Sequence, residues 1–261
     1  MSASLQFDQD ASNRLVAMYV TPDLVNQRNQ VLQTFSIHPG DRVLDVGSGP
    51  GFLASSMGDA VGSLGWVCGV DISEPLLEVA KAHCAHQPWV EFRLSDATKL
   101  PFPDNQFDIV ISTQVLEYVP DVSAALKELH RVLRPAKRAV ILDTDWDSIV
   151  WHSTNAVRMN RILAAWEEHA VDPHLPRTLA RKLRQAGFQV EAQRIIPMFN
   201  PVFIPNTFSN LLIDLITPFV TDRQGVTRDE AMAWAQDLRE RGEDEEYFFS
   251  LNRYLFIAKK P

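Results

Sequence analysis

The stretch Val43-Leu44-Asp45-Val46-Gly47-Ser48-Gly49-Pro50-Gly51 limits the folds open to this chain more than any other. A run of strand type passes straight into glycines at alternate positions, and a helical pattern opens at Phe52. A buried strand that turns this tightly into a helix begins a βαβ unit, because glycine lets the backbone turn and approach a ligand with no Cβ in the way. The rhythm then continues. Trp66 to Asp71 reads as a second strand, and Pro75 marks the first turn of a helix with Leu76, Leu77 and Ala80 on its apolar face. Val90 to Leu94, Phe107 to Ser112 and Ala139 to Asp143 read as strands three to five. Between the last two, Val122, Ala125, Leu126, Leu129, Val132 and Leu133 recur at helical spacing, and the helix stops before Pro135. The expectation is an α/β fold: a Rossmann-like, seven-stranded, mostly parallel sheet with helices on both faces.

After the fifth strand the pattern changes. Helices over Ala156 to His169 and Leu179 to Ala186, the second stopped by Gly187, lead into a strand over Gln189 to Ile196. Phe208, Leu211, Leu212, Leu215, Ile216 and Phe219 mark an amphipathic helix, Arg228 to Arg241 a more polar one, and Phe248 to Ala258 a last strand. The reading is an N-terminal helical segment at 1–40, a core at 41–197, a helical cap inserted at 198–246 and a closing strand of the sheet at 247–261.

With 46% hydrophobic and 22% charged residues among 261, the chain has the composition of a folded protein. A net charge of −8 leaves no excess of Lys and Arg to neutralise a phosphate backbone, which counts against nucleic acid as a partner. Cys68 and Cys84 fall in a strand and a helix and read as reduced core thiols; no metal site is expected. Met1 to Gln9 has no basic region followed by an apolar run, and Val202 to Val220 is interrupted by Pro205, Asn206, Asn210, Asp214 and Pro218. No secretory signal or membrane span is expected, and the protein reads as cytoplasmic.

The spacing Gly-x-Gly-x-Gly differs from the dinucleotide fingerprint, since Phe52 stands where its third glycine belongs, and no phosphate-cradling loop with a lysine is present. Asp71, twenty residues past Gly51, ends the second strand, and Asp96 follows the third. Ligands of open α/β sheets bind at the carboxyl ends of the strands. There Asp71 can accept hydrogen bonds from both hydroxyls of a ribose, and Asp96 from an adenine amino group. The glycine turn and the two acids converge on one nucleoside.

At this point the chain resembles the class I S-adenosylmethionine-dependent methyltransferases, in the branch that includes quinone-biosynthesis and other small-molecule enzymes. The resemblance is carried by VLDVGSGPG at 43–51, GVDIS at 69–73, SDATKLPFPDNQFDIV at 95–110, STQVLEYV at 112–119 and ELHRVLRP at 128–135, in the family's order and spacing. It implies S-adenosylmethionine as cofactor and S-adenosylhomocysteine as product. It also implies that Asp45, Gly47 and Gly49 line the methionine moiety, Asp71 holds the ribose and Ile72 packs on the adenine face. Asp96 and Ala97 would meet the adenine edge, and Thr113 and Gln114 would flank the sulfonium. In similar methyltransferases an N-terminal tyrosine and arginine close over the cofactor; here these are Tyr19 and Arg28, with the arginine's fork of donors suited to the methionine carboxylate. The chain departs from the family where Ala136 and Lys137 replace the usual Gly-Gly and where Tyr118, in place of a histidine, follows Glu117.

Methyl transfer is an in-line displacement at a carbon activated by positive sulfur, so alignment and exclusion of water come first, and a general base is optional. If one exists, His152, beyond the fifth strand, can take a proton near neutrality, or it is a partly exposed loop histidine. His174 is a weaker candidate, and Asp143 and Asp145 either orient an acceptor or cap the next helix. Trp146, Trp151, Phe203 and Phe208, with Phe199, suit an apolar or aromatic small-molecule acceptor, or form the cap's own core. The helix at 206–219 can alternatively serve as a homodimer surface or a membrane-contact face. Beside the small-molecule methyltransferase stand an RNA methyltransferase, disfavoured by charge, a nicotinamide oxidoreductase, disfavoured by Phe52, and a relative that binds S-adenosylmethionine without methylating.

Overall fold

The apolar runs of the first half become strands because nearly every residue in them is buried on one sheet face or the other. The computed structural model describes residues 16–261, so the expectations on Met1 to Gln9 lie outside the described residues. β1 (Arg42–Val46) is hydrogen-bonded in parallel to β2 (Trp66–Asp71) on one side and to β4 (Phe107–Thr113) on the other. β3 (Val90–Leu94) extends the sheet beyond β2, and β5 (Leu133–Thr144) beyond β4, both in parallel. β8 (Phe249–Lys259) runs antiparallel between β5 and β7 (Gln189–Asn200). Among the described residues the sheet has eight strands where seven were expected. β6 (Val150–Trp151) is two residues long and pairs with Ser250 and Phe249 just past the end of the β5 ladder, which is too short for a sequence pattern to register.

Side chains alternate between two apolar clusters. Leu44, Val46, Val110 and Ile141 pack with α4 (Val122–Val132) and α6 (Pro176–Gln185). Val43, Ile109, Ile111 and Val140 pack with α1 (Pro22–Leu32), α2 (Phe52–Val61) and α3 (Glu74–His83) on the opposite face. Burying one such Leu, Ile or Val contributes about 1.5–3 kcal/mol, so the two faces together hold the sheet. Helix starts are fixed locally: the Ser73 hydroxyl caps α3, with Pro in its first turn, and Asp121 caps α4 by accepting from Ala124 N at 2.9 Å. β5 begins upstream of the expected Ala139, and Ala136 sits there at φ +63°, the left-handed conformation suited to the family's usual glycine. For an alanine this costs about 1–2 kcal/mol.

A third apolar cluster lies over the carboxyl ends of the strands. It joins α5 (Ala156–Trp166), α7 (Phe208–Val220) and α8 (Arg228–Glu243) with Met18, Leu24, Trp146, Trp151, Trp166 and Trp234. Trp151 meets Trp234 edge-on at 5.5 Å and Phe249 at 4.7 Å, so the cap is wedged against the last strand. Asp237 of α8 accepts from Ser153 Oγ at 2.5 Å and Thr154 Oγ1 at 2.6 Å, pinning the cap to the segment before α5. Asp23 of α1 accepts from Asn200 Nδ2 at 2.8 Å and from the backbone N–H of Phe208 at 2.7 Å, fastening α1 to the start of α7. Among the described residues no helix is long and apolar enough to cross a membrane. Trp234 is fully buried in the cap, so Trp234→Ala should cost about 3–5 kcal/mol in chemical denaturation; a loss under about 1 kcal/mol would mean that the cap does not fold as one piece with the sheet.

Candidate functional site

β1 ends in a turn that its neighbours leave no room to vary. Gly47 N and Ser48 N donate to the Val70 carbonyl at 2.7 and 3.0 Å, folding the turn across the end of β2. Gly47 lies at φ +73°, and a Cβ there would fall 2.1 Å from Val115 Cγ2. Gly51 lies at φ +80°, with Ala80 Cβ at 2.9 Å from the same kind of added atom. Both positions thus demand glycine on conformation and on space. Gly49 N donates to Asp71 Oδ2 and Ser73 N to Asp71 Oδ1, each at 2.9 Å, so one carboxylate ties β2 to the turn. Each oxygen keeps further acceptor capacity.

The turn forms one wall of a cavity at the carboxyl ends of the parallel strands, under the cap. Tyr19, Arg28, Asp45, Gly47, Gly49, Asp71, Ile72, Asp96, Ala97, Thr113 and Gln114 all line it. They come from α1 and the segment before it, from the ends of β1, β2 and β4, and from the loop after β3. Ile72 is 70% exposed, an apolar side chain left open at the rim. Asp96 is exposed and uses one oxygen on Thr98, at 2.7 Å to N and 2.6 Å to Oγ1. The Arg28 guanidinium lies 5.2 Å from the Phe52 ring centre and donates to the Tyr19 carbonyl at 2.5 Å. Gln114, at φ +59°, accepts from Thr144 Oγ1 at 2.8 Å while its Nε2 has no partner among the described residues.

Asp45 is the electrostatic anomaly of this wall. It is 1% exposed, neither carboxylate oxygen has a hydrogen-bond partner among the described residues, and burial with the nearby Asp71 charge pushes its carboxyl up to about 7. A buried polar group without a partner costs about 1–3 kcal/mol, so such an atom in a cavity wall points to a ligand that donates to it. Burial likewise pushes the Tyr19 hydroxyl up to about 12.

Of the expected acceptor contacts, Trp146 and Phe208 line the cavity, beside Trp166, Leu212 and Leu215. Trp151 and Phe203 do not. Trp151 is buried in the cap core with Nε1 donating to Tyr247 Oη at 3.2 Å, and Phe203 packs on the Tyr247 ring at 5.2 Å, so for these two the cap-core alternative holds. His152 is exposed, its backbone N–H donating to the Phe248 carbonyl at 3.0 Å, and it is off the cavity wall, so the expectation of a base at His152 is corrected by its position. Phe199 lies 53% exposed on β7. Asp145, Asp147 and His174 bring ligating atoms within 4.8 Å of one another, but Arg177 already donates to Asp145 at 2.7 and 2.9 Å and to Asp147 at 2.5 Å. A cation there would meet a resident positive charge.

Three residues without an assigned role stand around the inner part of the cavity. Tyr118 and Arg253 line it, and Glu117, fully buried, accepts from Thr144 N at 2.8 Å through Oε2. Burial pushes the Glu117 carboxyl up to about 7 and raises that of Asp143, which accepts from Val115 N at 3.1 Å. Arg253 donates through Nη1 to Gln27 Oε1. The period-two pattern of Phe249, Leu251, Leu255 and Ile257 is the signal that places Arg253 on a buried position, and Glu117 interrupts the apolar run Val115-Leu116.

Residues 44–141 match the family described as "Methyltransferase domain". Demethylmenaquinone methyltransferase of Staphylococcus epidermidis is 42% identical over 117 residues, which cover 45% of this chain and 48% of that protein. The chain spans about half the length of the curated relatives it matches. Phosphoethanolamine N-methyltransferase 2 of Haemonchus contortus, solved with S-adenosyl-L-methionine, has a TM-score of 0.65 at 19% identity, covering 98% of this chain and 58% of that one. The 4+2 cyclase SpnF has a TM-score of 0.57 at 20% identity, covering 90% and 81%. At these identities the two structures establish a shared fold.

Two outcomes follow from the geometry. Asp45 has a folded value near 7 against an ordinary 3.8, so its contribution to stability is full below the ordinary value and lost as pH rises through about 7. Asp45→Asn should therefore gain more in melting temperature over the parent at pH 8 than at pH 5, without ligand; an equal difference at both would remove the titration argument. Gly47→Ala should cost about 1–3 kcal/mol in chemical denaturation through overpacking on Val115 and the positive φ.

Proposed function

We propose that this chain, whose residues 44–141 match the family described as "Methyltransferase domain", moves the methyl group of S-adenosylmethionine to an O, N or C atom of a small, apolar or aromatic metabolite. The observation that carries this reading is the unpartnered Asp45 carboxylate, 1% exposed, in the wall that also holds Asp71 and the open face of Ile72. The donor set fits the cofactor. Asp45, beside Gly47 and Gly49, offers an acceptor for the methionine ammonium, Asp71 retains lone pairs for the ribose hydroxyls, and Ile72 gives the adenine an apolar face. Asp96 and Ala97 take the adenine edge, Thr113 and Gln114 flank the sulfur, and Arg28, with Tyr19, takes the methionine carboxylate.

When bound, the cofactor supplies a methyl carbon activated by positive sulfur. The chain's own part is alignment and exclusion of water: Trp146, Phe208 and Leu212 offer the acceptor an apolar wall facing the glycine turn. The quinone-type name of the Staphylococcus epidermidis relative supports an aromatic acceptor, and the net charge of −8 disfavours RNA. The fold shared with a cyclase supports a second reading, a chain that holds S-adenosylmethionine and runs other chemistry.

Calorimetry with S-adenosylhomocysteine and with NAD tests the site: tight binding of NAD and none of S-adenosylhomocysteine would sink it. Asp71→Ala should weaken S-adenosylhomocysteine about tenfold or more, from the loss of hydrogen bonds to a charged acceptor; unchanged affinity in a folded variant removes the ribose assignment. Transfer of a labelled methyl group onto phenols, quinols and amines separates the two readings, since only the first yields labelled product.

A further inference from the structure

Arg253 is left without a role by methyl transfer alone. It sits on β8 opposite Thr144 of β5 and Ile196 of β7, where the strand otherwise buries apolar side chains, and it is 4% exposed while lining the cavity. A guanidinium out of water needs an anion or a full set of acceptors, since an unpaired buried ion carries a penalty of roughly several kcal/mol. Among the described residues Arg253 has neither. The side-chain acceptor it reaches is the neutral amide oxygen of Gln27, and its Nε has no partner. Two buried acids act on it through space, Glu117 and Asp143, but among the described residues neither forms an ion pair or a hydrogen bond with it. The ring of Phe208 lies 4.8 Å from the guanidinium carbon, and Trp146 and Leu212 continue an apolar wall. The cavity thus combines an aromatic-lined slot with a buried cation beside it.

We propose that Arg253 binds an ionised oxygen of the methyl acceptor, which makes the acceptor a planar hydroxy compound, a phenol or an enol, held as its anion. The proposal rests on the methyl-transfer reading and deepens it. A guanidinium forms short, charge-assisted hydrogen bonds to an oxyanion, and its planar fork fixes the direction of the ring that carries the oxygen. Binding the anion neutralises Arg253 and brings the acceptor in without a proton on that oxygen.

The test uses the full chain saturated with S-adenosylhomocysteine and two probes, 4-nitrophenol and its methyl ether 4-nitroanisole. At a pH below the phenol's own ionisation, the complex should bind 4-nitrophenol with growth of the phenolate absorption band, and bind the ether about tenfold more weakly or worse. Arg253→Gln should abolish the band and weaken 4-nitrophenol by about tenfold or more, while S-adenosylhomocysteine keeps its affinity within about twofold. Arg253→Lys should recover part of the band, and it carries the comparison if the glutamine variant does not fold. Three results overturn the proposal: both probes bind equally, neither binds to a chain that still takes S-adenosylhomocysteine, or Arg253→Gln weakens S-adenosylhomocysteine and spares the phenol, which would give Arg253 to the methyl donor. A parent chain that binds no S-adenosylhomocysteine strikes the methyl-transfer reading instead.

Discussion

The parallel hydrogen-bond ladder on both sides of β1 is the constraint on which the rest of the molecule depends. Pairing of Val43 to Val46 with Val67 to Val70 and with Ile109 to Ser112 brings the carboxyl ends of three strands to one edge. Parallel strands need crossovers, the crossovers place helices over both faces, and the edge where the strands end is what remains open. Gly47, Ile72 and Gln114 each follow one of those ends, so residues far apart in sequence share a wall.

Charge is treated differently at that edge than elsewhere. Away from it some ions are held by several partners: Arg131 donates to Glu128, Asp104 and two backbone carbonyls, and Arg134 grips Asp108 at 2.7 and 2.8 Å. In the cavity region, Asp45, Asp143 and Arg253 are all buried and each keeps an atom without a partner among the described residues. The cost of desolvating such groups lowers the stability of the empty protein, and ligands that complete their hydrogen bonds offset it. Stability and binding therefore draw on the same side chains here.

The sequence made the donor side of the fold legible and the acceptor side much less so, for a physical reason. Trp66–Asp71 is readable to the residue as a mostly apolar run and Val90–Leu94 as a strict alternation of apolar and charged side chains, Val-Glu-Phe-Arg-Leu. The first half of β5 is not, since Arg134, Lys137 and Arg138 carry no strand pattern and the segment is held by pairing with neighbours instead. Asp45, Gly47, Asp71 and Asp96 occupy strand ends at set intervals, which a chain read in one dimension preserves. Which aromatic residues face the cavity is decided by how the cap meets the sheet, and nothing near Trp151 or Phe203 in sequence separates them from Trp146 and Phe208. Arg253 did leave a trace, a cation in phase with buried apolar residues, but its meaning depends on Gln27 and Phe208, both distant in the chain.

Asp23 joins regions that otherwise belong to different halves of the cavity. One of its oxygens holds Asn200 at the end of β7 and the other holds the first N–H of the helix that carries Phe208, while its own helix carries Gln27 and Arg28. The two sides therefore share a fastening. Removing this carboxylate would weaken the cover over the glycine turn and the cover over the aromatic slot together.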